Sequence, residues 1–159
     1  MKKYELTTET KVVSGHTLYR IRALVAFGSA DTGELGGWIE NEMNLAQYGN
    51  AWVYGNAQVY GNAQVHGKAQ VYGDAEVCGN AQVCDNAAIM TISHIGSRFG
   101  TTTFFVLKNG KIGVQCGCFY GDIDEFAAKV EQTHGNNQHG KAYKLAIELA
   151  KLRLQTRKE

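Results

Sequence analysis

From Gln47 to Ala88 the chain repeats itself every six residues, reading QYGNAW, VYGNAQ, VYGNAQ, VHGKAQ, VYGDAE, VCGNAQ and VCDNAA. A fixed short period means that each unit buries its apolar face only by stacking on copies of itself, so this stretch reads as a solenoid. Val53, Val59, Val65, Val71, Val77, Val83 and Ile89 share one phase, and Ala57, Ala63, Ala69, Ala75, Ala81 and Ala87 follow four places later. That alternation predicts an interior of aliphatic and small side chains, with Tyr, Gly, Asn and Gln at corners or in water. Nineteen glycines and no proline suit repetitive β structure, because glycine accepts positive φ at turns and proline would remove a ladder donor.

This pattern resembles the hexapeptide-repeat, left-handed parallel β-helix family, whose motif is an aliphatic residue, often followed by Gly, with a small residue at the fifth place. The resemblance implies three hexads per triangular coil, so that residues eighteen apart lie above one another at about 4.8 Å. Tyr54, Tyr72 and Met90 then form one column, Tyr60 and Cys78 a second, and His66 and Cys84 a third, with Asn56 over Asp74. The phase persists through Ile89–His94 and Ile95–Gly100, with Phe99 in a small-residue slot. Backwards, Leu45 and Ile39 fall on the small-residue phase, so a partial coil begins near Trp38.

The fold expectation is therefore mainly β, a left-handed parallel β-helix over residues 38–100 with a cap at each end. Residues 1–37 form an N-terminal β-hairpin cap. There Tyr19, Ile21, Ala23, Val25 and Phe27 alternate with polar or small residues after a Ser14-Gly15-His16 turn. His16 reads as a turn residue only. The glycines of GELGGWIE (Gly33 to Glu40) lack the lysine of a phosphate loop and instead let the chain bend onto the repeat, with Trp38 covering the core end.

Residues 101–159 read as a C-terminal ββαα domain. Thr101–Lys108 and Lys111–Phe119 are β-rich runs joined by Asn109-Gly110, a strong hairpin signal. Asp122 with Glu125 is a capping-box start for a helix carrying Ile123, Phe126, Ala127 and Val130 on one face. A second helix from about Lys141 places Ala142, Leu145, Ala146, Leu149 and Leu152 on its apolar stripe.

Net charge is +1, split as seven Lys and Arg against nine Asp and Glu in residues 1–100 and nine against six in residues 101–159. Neither part has the dense cationic stripe of a phosphate-tracking surface, which argues against nucleic acid as the partner. With no signal peptide behind MKKYEL and no apolar run of membrane-spanning length, a cytoplasmic protein is expected, its four cysteines free thiols or ligands rather than disulfides.

Three constellations could carry chemistry. Cys116, Cys118, His134 and His139 could bind zinc tetrahedrally, the two thiols sharing one face of a strand, although a one-residue gap between the cysteines is short. The same residues could provide a cysteine nucleophile with His134 or His139 as its base. Arg98 with Ser97, Thr101, Thr102 and Thr103 offers a guanidinium among hydroxyl donors, fit for an anionic ligand. For each there is a plain alternative: buried thiols, solvated loop histidines, strand-forming threonines and an arginine paired to an acidic neighbour.

The segments KKYELTTET, LYRIRALVAFG, GELGGWIE, NLAQYGNAWVYGNA, IGSRFGTTTFF, CGCFYGDIDEF, THG and LAKLRL together resemble bacteriophage and prophage hexapeptide-repeat proteins with a small C-terminal domain. Together with the rigid rod, the Arg-Thr cluster and the lack of a recognisable catalytic constellation, this resemblance leads to the expectation of a noncatalytic accessory protein, and the family's coils to that of a homo-oligomer such as a trimer. It would act in the host cell against a defence protein or an anionic, nucleotide-like immune signal, without a cofactor. The alternative is a hexapeptide-repeat acyltransferase using acyl-coenzyme A. Its general-base histidine would have to be His66, the only histidine in the repeat, and the hexads run without the extruded loop such enzymes use.

Overall fold

A computed structural model describes residues 1–154. The chain is mainly β, with two helices at its C-terminal end. It divides into two compact units, Met1–Asn86 and Ala87–Glu159. Among the described residues no helix is long and apolar enough to cross a membrane.

In the first unit, β1 (Tyr4–Val13) and β2 (His16–Ala23) form the expected antiparallel hairpin around Ser14-Gly15. The alternation in Val25 and Phe27 does not extend it, since β2 ends at Ala23 and Phe27 instead bridges to Ala30. Strand β3 (Leu35–Ile39) pairs antiparallel with β2 and parallel with a strand of the repeat. The repeat supplies six two-residue strands: β4 (Trp52–Val53), β5 (Gln58–Val59), β6 (Gln64–Val65), β7 (Gln70–Val71), β8 (Glu76–Val77) and β9 (Gln82–Val83).

These strands pair in parallel at a separation of eighteen residues. Val53 is opposite Val71, Val59 opposite Val77, and Val65 opposite Val83. Amides reach the carbonyls one rung on, for example Tyr54 N to Val71 O at 2.9 Å and Gln64 N to Ala81 O at 2.9 Å. The six valines and the alanines at 57, 63, 69, 75 and 81 are buried, as their phase requires. Each buried valine contributes roughly 1.5–3 kcal/mol relative to exposure. Outside, Tyr54 stacks on Tyr72 with ring centroids 5.2 Å apart, and Asn56 donates to Asp74 at 3.4 Å, both eighteen-residue columns.

The tryptophan in the core is Trp52 rather than Trp38. Trp52 is buried, with Tyr4 and Phe27 against its ring at 6.5 and 5.1 Å, whereas Trp38 is half-buried with the Lys11 ammonium 4.6 Å over its ring. Trp52 explains Gly36. A Cβ there would sit 2.6 Å from the Val53 carbonyl oxygen and 2.7 Å from the Trp52 ring. Gly36→Ala is expected to cost about 1–3 kcal/mol of stability, read as a lowered urea midpoint at unchanged slope. An unchanged midpoint would show that the tryptophan side can give way.

Polar contacts pin the hairpin to the repeat. Buried Lys3 donates to the carbonyls of Tyr48, Gly49 and Ala51 at 3.5, 3.4 and 2.9 Å, satisfying acceptors that have no rung above them. His16 is more than a turn residue: its Nδ1 lies 2.9 Å from Glu40 Oε2, while Glu40 Oε1 accepts from Gly61 N at 2.8 Å. The bond with His16 holds the Glu40 carboxyl below the usual carboxylate range. The His16 ring also rests on Tyr60, whose hydroxyl donates to Glu76.

The second unit begins where the hexad phase still appears to run. Residues Ile89 to Gly100 keep the spacing, yet β10 (Ile89–Ile95) pairs antiparallel with β11 (Gly100–Val106), Ile89 opposite Phe105. Strands β12 (Ile112–Cys116) and β13 (Phe119–Asp122) complete a four-stranded antiparallel meander. The unit thus has four strands before its helices instead of two. Helix α1 (Ile123–His134) has the expected capping box, Asp122 accepting from Glu125 N at 2.9 Å and Glu125 from Asp122 N at 3.1 Å.

Helix α2 (Gln138–Arg153) starts three residues before the expected Lys141 and is rolled from the expected stripe. It buries Tyr143, Ala146, Ile147 and Ala150, leaving Leu145 and Leu152 73% and 78% exposed. The larger Tyr143 and Ile147 decide the rotation, with Tyr143 edge-on to Phe126 of α1 at 5.5 Å.

Candidate functional site

The β10–β11 connection is a displayed turn in the second unit. Ile95 pairs with Gly100, and Phe99 N donates to Gly96 O at 3.2 Å across the tip. Only three non-glycine residues among those described have positive φ, and two of them are here: His94 at 59° and Phe99 at 52°. For a bulky side chain this conformation is strained, and such strain concentrates at sites that bind or react. Phe99 is nevertheless 71% exposed, and His94, Ser97 and Arg98 are exposed beside it.

The five residues grouped by the sequence separate here. Ser97 and Arg98 lie on the turn, and half-buried Thr101 is the second residue of β11, its hydroxyl 3.1 Å from that of Ser93. Thr102 and Thr103 are buried, and Thr102 Oγ1 donates inward to Cys116 Sγ at 3.2 Å. Among the described residues Arg98 has no ion pair or hydrogen bond, so the acidic neighbour that would explain it away is not found. An exposed guanidinium with its full set of donors unspent can take a carboxylate or phosphate in bidentate fashion.

The cysteine and histidine group has another arrangement than the sequence suggested. The two thiols share no strand face, because β12 ends at Cys116 and Gly117-Cys118 is the turn into β13, with Cys116 opposite Phe119. Cys118 is exposed on that turn, while half-buried Cys116 faces Thr102 and the Tyr143 hydroxyl, 3.7 Å from its sulfur. His134 and His139 close on one another across the α1–α2 junction, ring centroids 5.6 Å apart, and His134 stacks on Tyr143 at 5.6 Å. A phenol thus stands between the thiol and the imidazoles. Among the described residues no three His, Cys, Asp or Glu side chains converge as a metal-holding group.

Burial, reinforced by Cys116, pushes the Tyr143 hydroxyl up to about 12, so it keeps its proton at neutral pH, and either group can donate across the 3.7 Å between oxygen and sulfur. Room for that hydroxyl comes from Gly96, where a Cβ would collide with the Tyr143 oxygen. All four cysteines are free thiols, and burial pushes Cys78 up to about 12, away from reactivity at neutral pH.

Tyr143, His94 and Phe99 were the site residues that the spacing did not single out. Phe99 left a trace, as an aromatic in a slot that otherwise takes alanine. Tyr143 left none, since its importance comes from the tertiary approach of its hydroxyl to Gly96 and Cys116. Compared with known proteins, the chain matches no family model and no curated protein.

Proposed function

We propose that this chain is a noncatalytic binding protein of phage origin, whose repeat winds as a left-handed parallel β-helix and whose β10–β11 turn engages an anionic, nucleotide-like host signal. The observation that carries the reading is Arg98, exposed and without a partner among the described residues, on a strained turn beside Ser97, Thr101 and the exposed ring of Phe99. The guanidinium suits a phosphate, the hydroxyls its remaining oxygens, and the Phe99 face a base, because every base offers a π surface. On this reading the chain acts in the host cytoplasm as a homo-oligomer and sequesters its ligand without turning it over.

Titration calorimetry with a cyclic dinucleotide and a linear nucleoside diphosphate tests this directly. Saturable binding of at least one is expected, weakened about 10- to 100-fold by Arg98→Ala, the usual worth of a charged hydrogen bond. Equal affinity in the variant, or acyl-coenzyme A retained by protein purified from infected cells, would remove the proposal.

A further inference from the structure

A groove of about 480 Å³ opens on the first unit, between the 3-10 turn Glu42–Asn44 and strand β6, within the size range of small-ligand sites. Its walls are fixed from behind. Fully buried Asn44 donates to the carbonyls of Gly61 and Ala63 at 3.2 and 2.8 Å and accepts from the amides of Glu40 and Asn41 at 3.1 and 3.0 Å. Gln47 accepts from Lys3 N at 2.8 Å and donates to Tyr4 O and Glu42 Oε1, each at 3.2 Å. The Tyr4 hydroxyl donates to Leu45 O at 2.6 Å. A wall braced in this way loses little entropy when a ligand arrives.

Other groups of the lining are uncommitted. Among the described residues neither the Gln64 amide nor the His66 ring makes a side-chain hydrogen bond, and Tyr48 is 73% exposed with Met43 exposed near it. Tyr48 and His66 are eighteen residues apart, the separation of the β-ladder partners in this unit. The one carboxylate of the lining, Glu42, is paired with Lys2 at 3.0 Å, so no free cation awaits a phosphate. The groove offers an aromatic face, a thioether, an amide with both donor and acceptor free, and an imidazole, with no uncompensated charge.

We infer that this groove binds a neutral oligosaccharide. A pyranose has an apolar C–H face for the Tyr48 ring and equatorial hydroxyls for Gln64 and His66, and an open trough admits a chain of such rings where a closed cavity would not. The site lies in the first unit and is independent of the Arg98 turn.

The experiment is a ¹⁵N-edited NMR titration of the full chain with trisaccharides of glucose, N-acetylglucosamine, galactose and mannose, and with adenosine as an uncharged aromatic control. At least one trisaccharide should give saturable shifts centred on the amides of Ala46, Tyr48, Gln64, Val65 and His66. Tyr48→Ala should weaken that binding about 10-fold or more, and Tyr48→Phe should retain it within about 3-fold. Because Tyr48 is largely exposed, both variants should keep the spectrum elsewhere. No saturable shift with any trisaccharide up to about 10 mM, a response to adenosine alone, or binding indifferent to Tyr48→Ala would overturn the inference.

Discussion

Val71→Asp unfolds the first unit. Val71 is fully buried opposite Val53, within a row of valines each 1% exposed or less. The substitution removes roughly 1.5–3 kcal/mol of apolar burial and places a carboxylate, with no cation in the row, where desolvation costs several kcal/mol more. Against a usual total of about 5–15 kcal/mol that is most or all of the stability. Far-UV circular dichroism and gel filtration should show loss of β signal and aggregation. Tyr72→Asp, one residue on and exposed, should remain folded with at most the loss of its stack on Tyr54. A native spectrum for Val71→Asp would mean that the valine row is not the interior.

The second large effect is a steep loss of stability in alkali. Tyr4, Tyr60 and Tyr143 are buried, and burial raises each phenol above its ordinary value near 10, Tyr143 to about 12. Above pH 10 the unfolded chain gives up these protons and the folded chain keeps them, so stability falls with pH, by about 1.4 kcal/mol per unit for each phenol. Lys3 acts in the opposite sense. Burial lowers its ammonium to about 8, so between pH 8 and 10.5 the unfolded state binds more protons and stability rises.

For the first unit, which holds Lys3, Tyr4, Tyr60 and the Cys78 thiol that burial likewise raises to about 12, the sum is close to zero from pH 8 to 10 and a loss of about 6 kcal/mol from pH 10 to 12. Melting temperatures should stay nearly level from pH 8 to about 9.5 and fall steeply above pH 10. Tyr4→Phe should remove about a third of the alkaline slope of this unit, and Lys3→Met should turn the level stretch into a fall that begins below pH 9. A flat profile from pH 8 to 12 would contradict the burial assigned to these groups.

What the sequence made legible was set by short-range rules. The Val and Ala phase of the repeat, its eighteen-residue columns, the Ser14-Gly15 hairpin and the Asp122–Glu125 capping box each depend on residues a few places apart, or on a period that the chain states openly. The failures share the opposite cause. Ile89 to Gly100 keeps aliphatic residues at the hexad spacing, but an antiparallel strand also needs them at intervals of two, and its choice of partner Gly100–Val106 is a tertiary matter. Thr102 and Thr103 looked like surface donors because hydroxyl residues usually are; the meander buries them. On α2 two apolar stripes compete, and only the position of Phe126 settles that Tyr143 turns inward and Leu145 outward. The site was half visible: Arg98 and Ser97 by residue type, but not the left-handed backbone at His94 and Phe99 that exposes them.

The pairing of valine with valine at eighteen residues in all three parallel ladders makes the repeat a unit of inheritance as well as of folding. On the proposed β-helix reading, tandem duplication or excision of eighteen codons would add or remove one tier of about 4.8 Å and leave all other neighbours as they were. A change of six would keep every valine inside yet shift each surface column by one corner, dividing Tyr54 from Tyr72. Such a gene could vary the length of its product by recombination within itself.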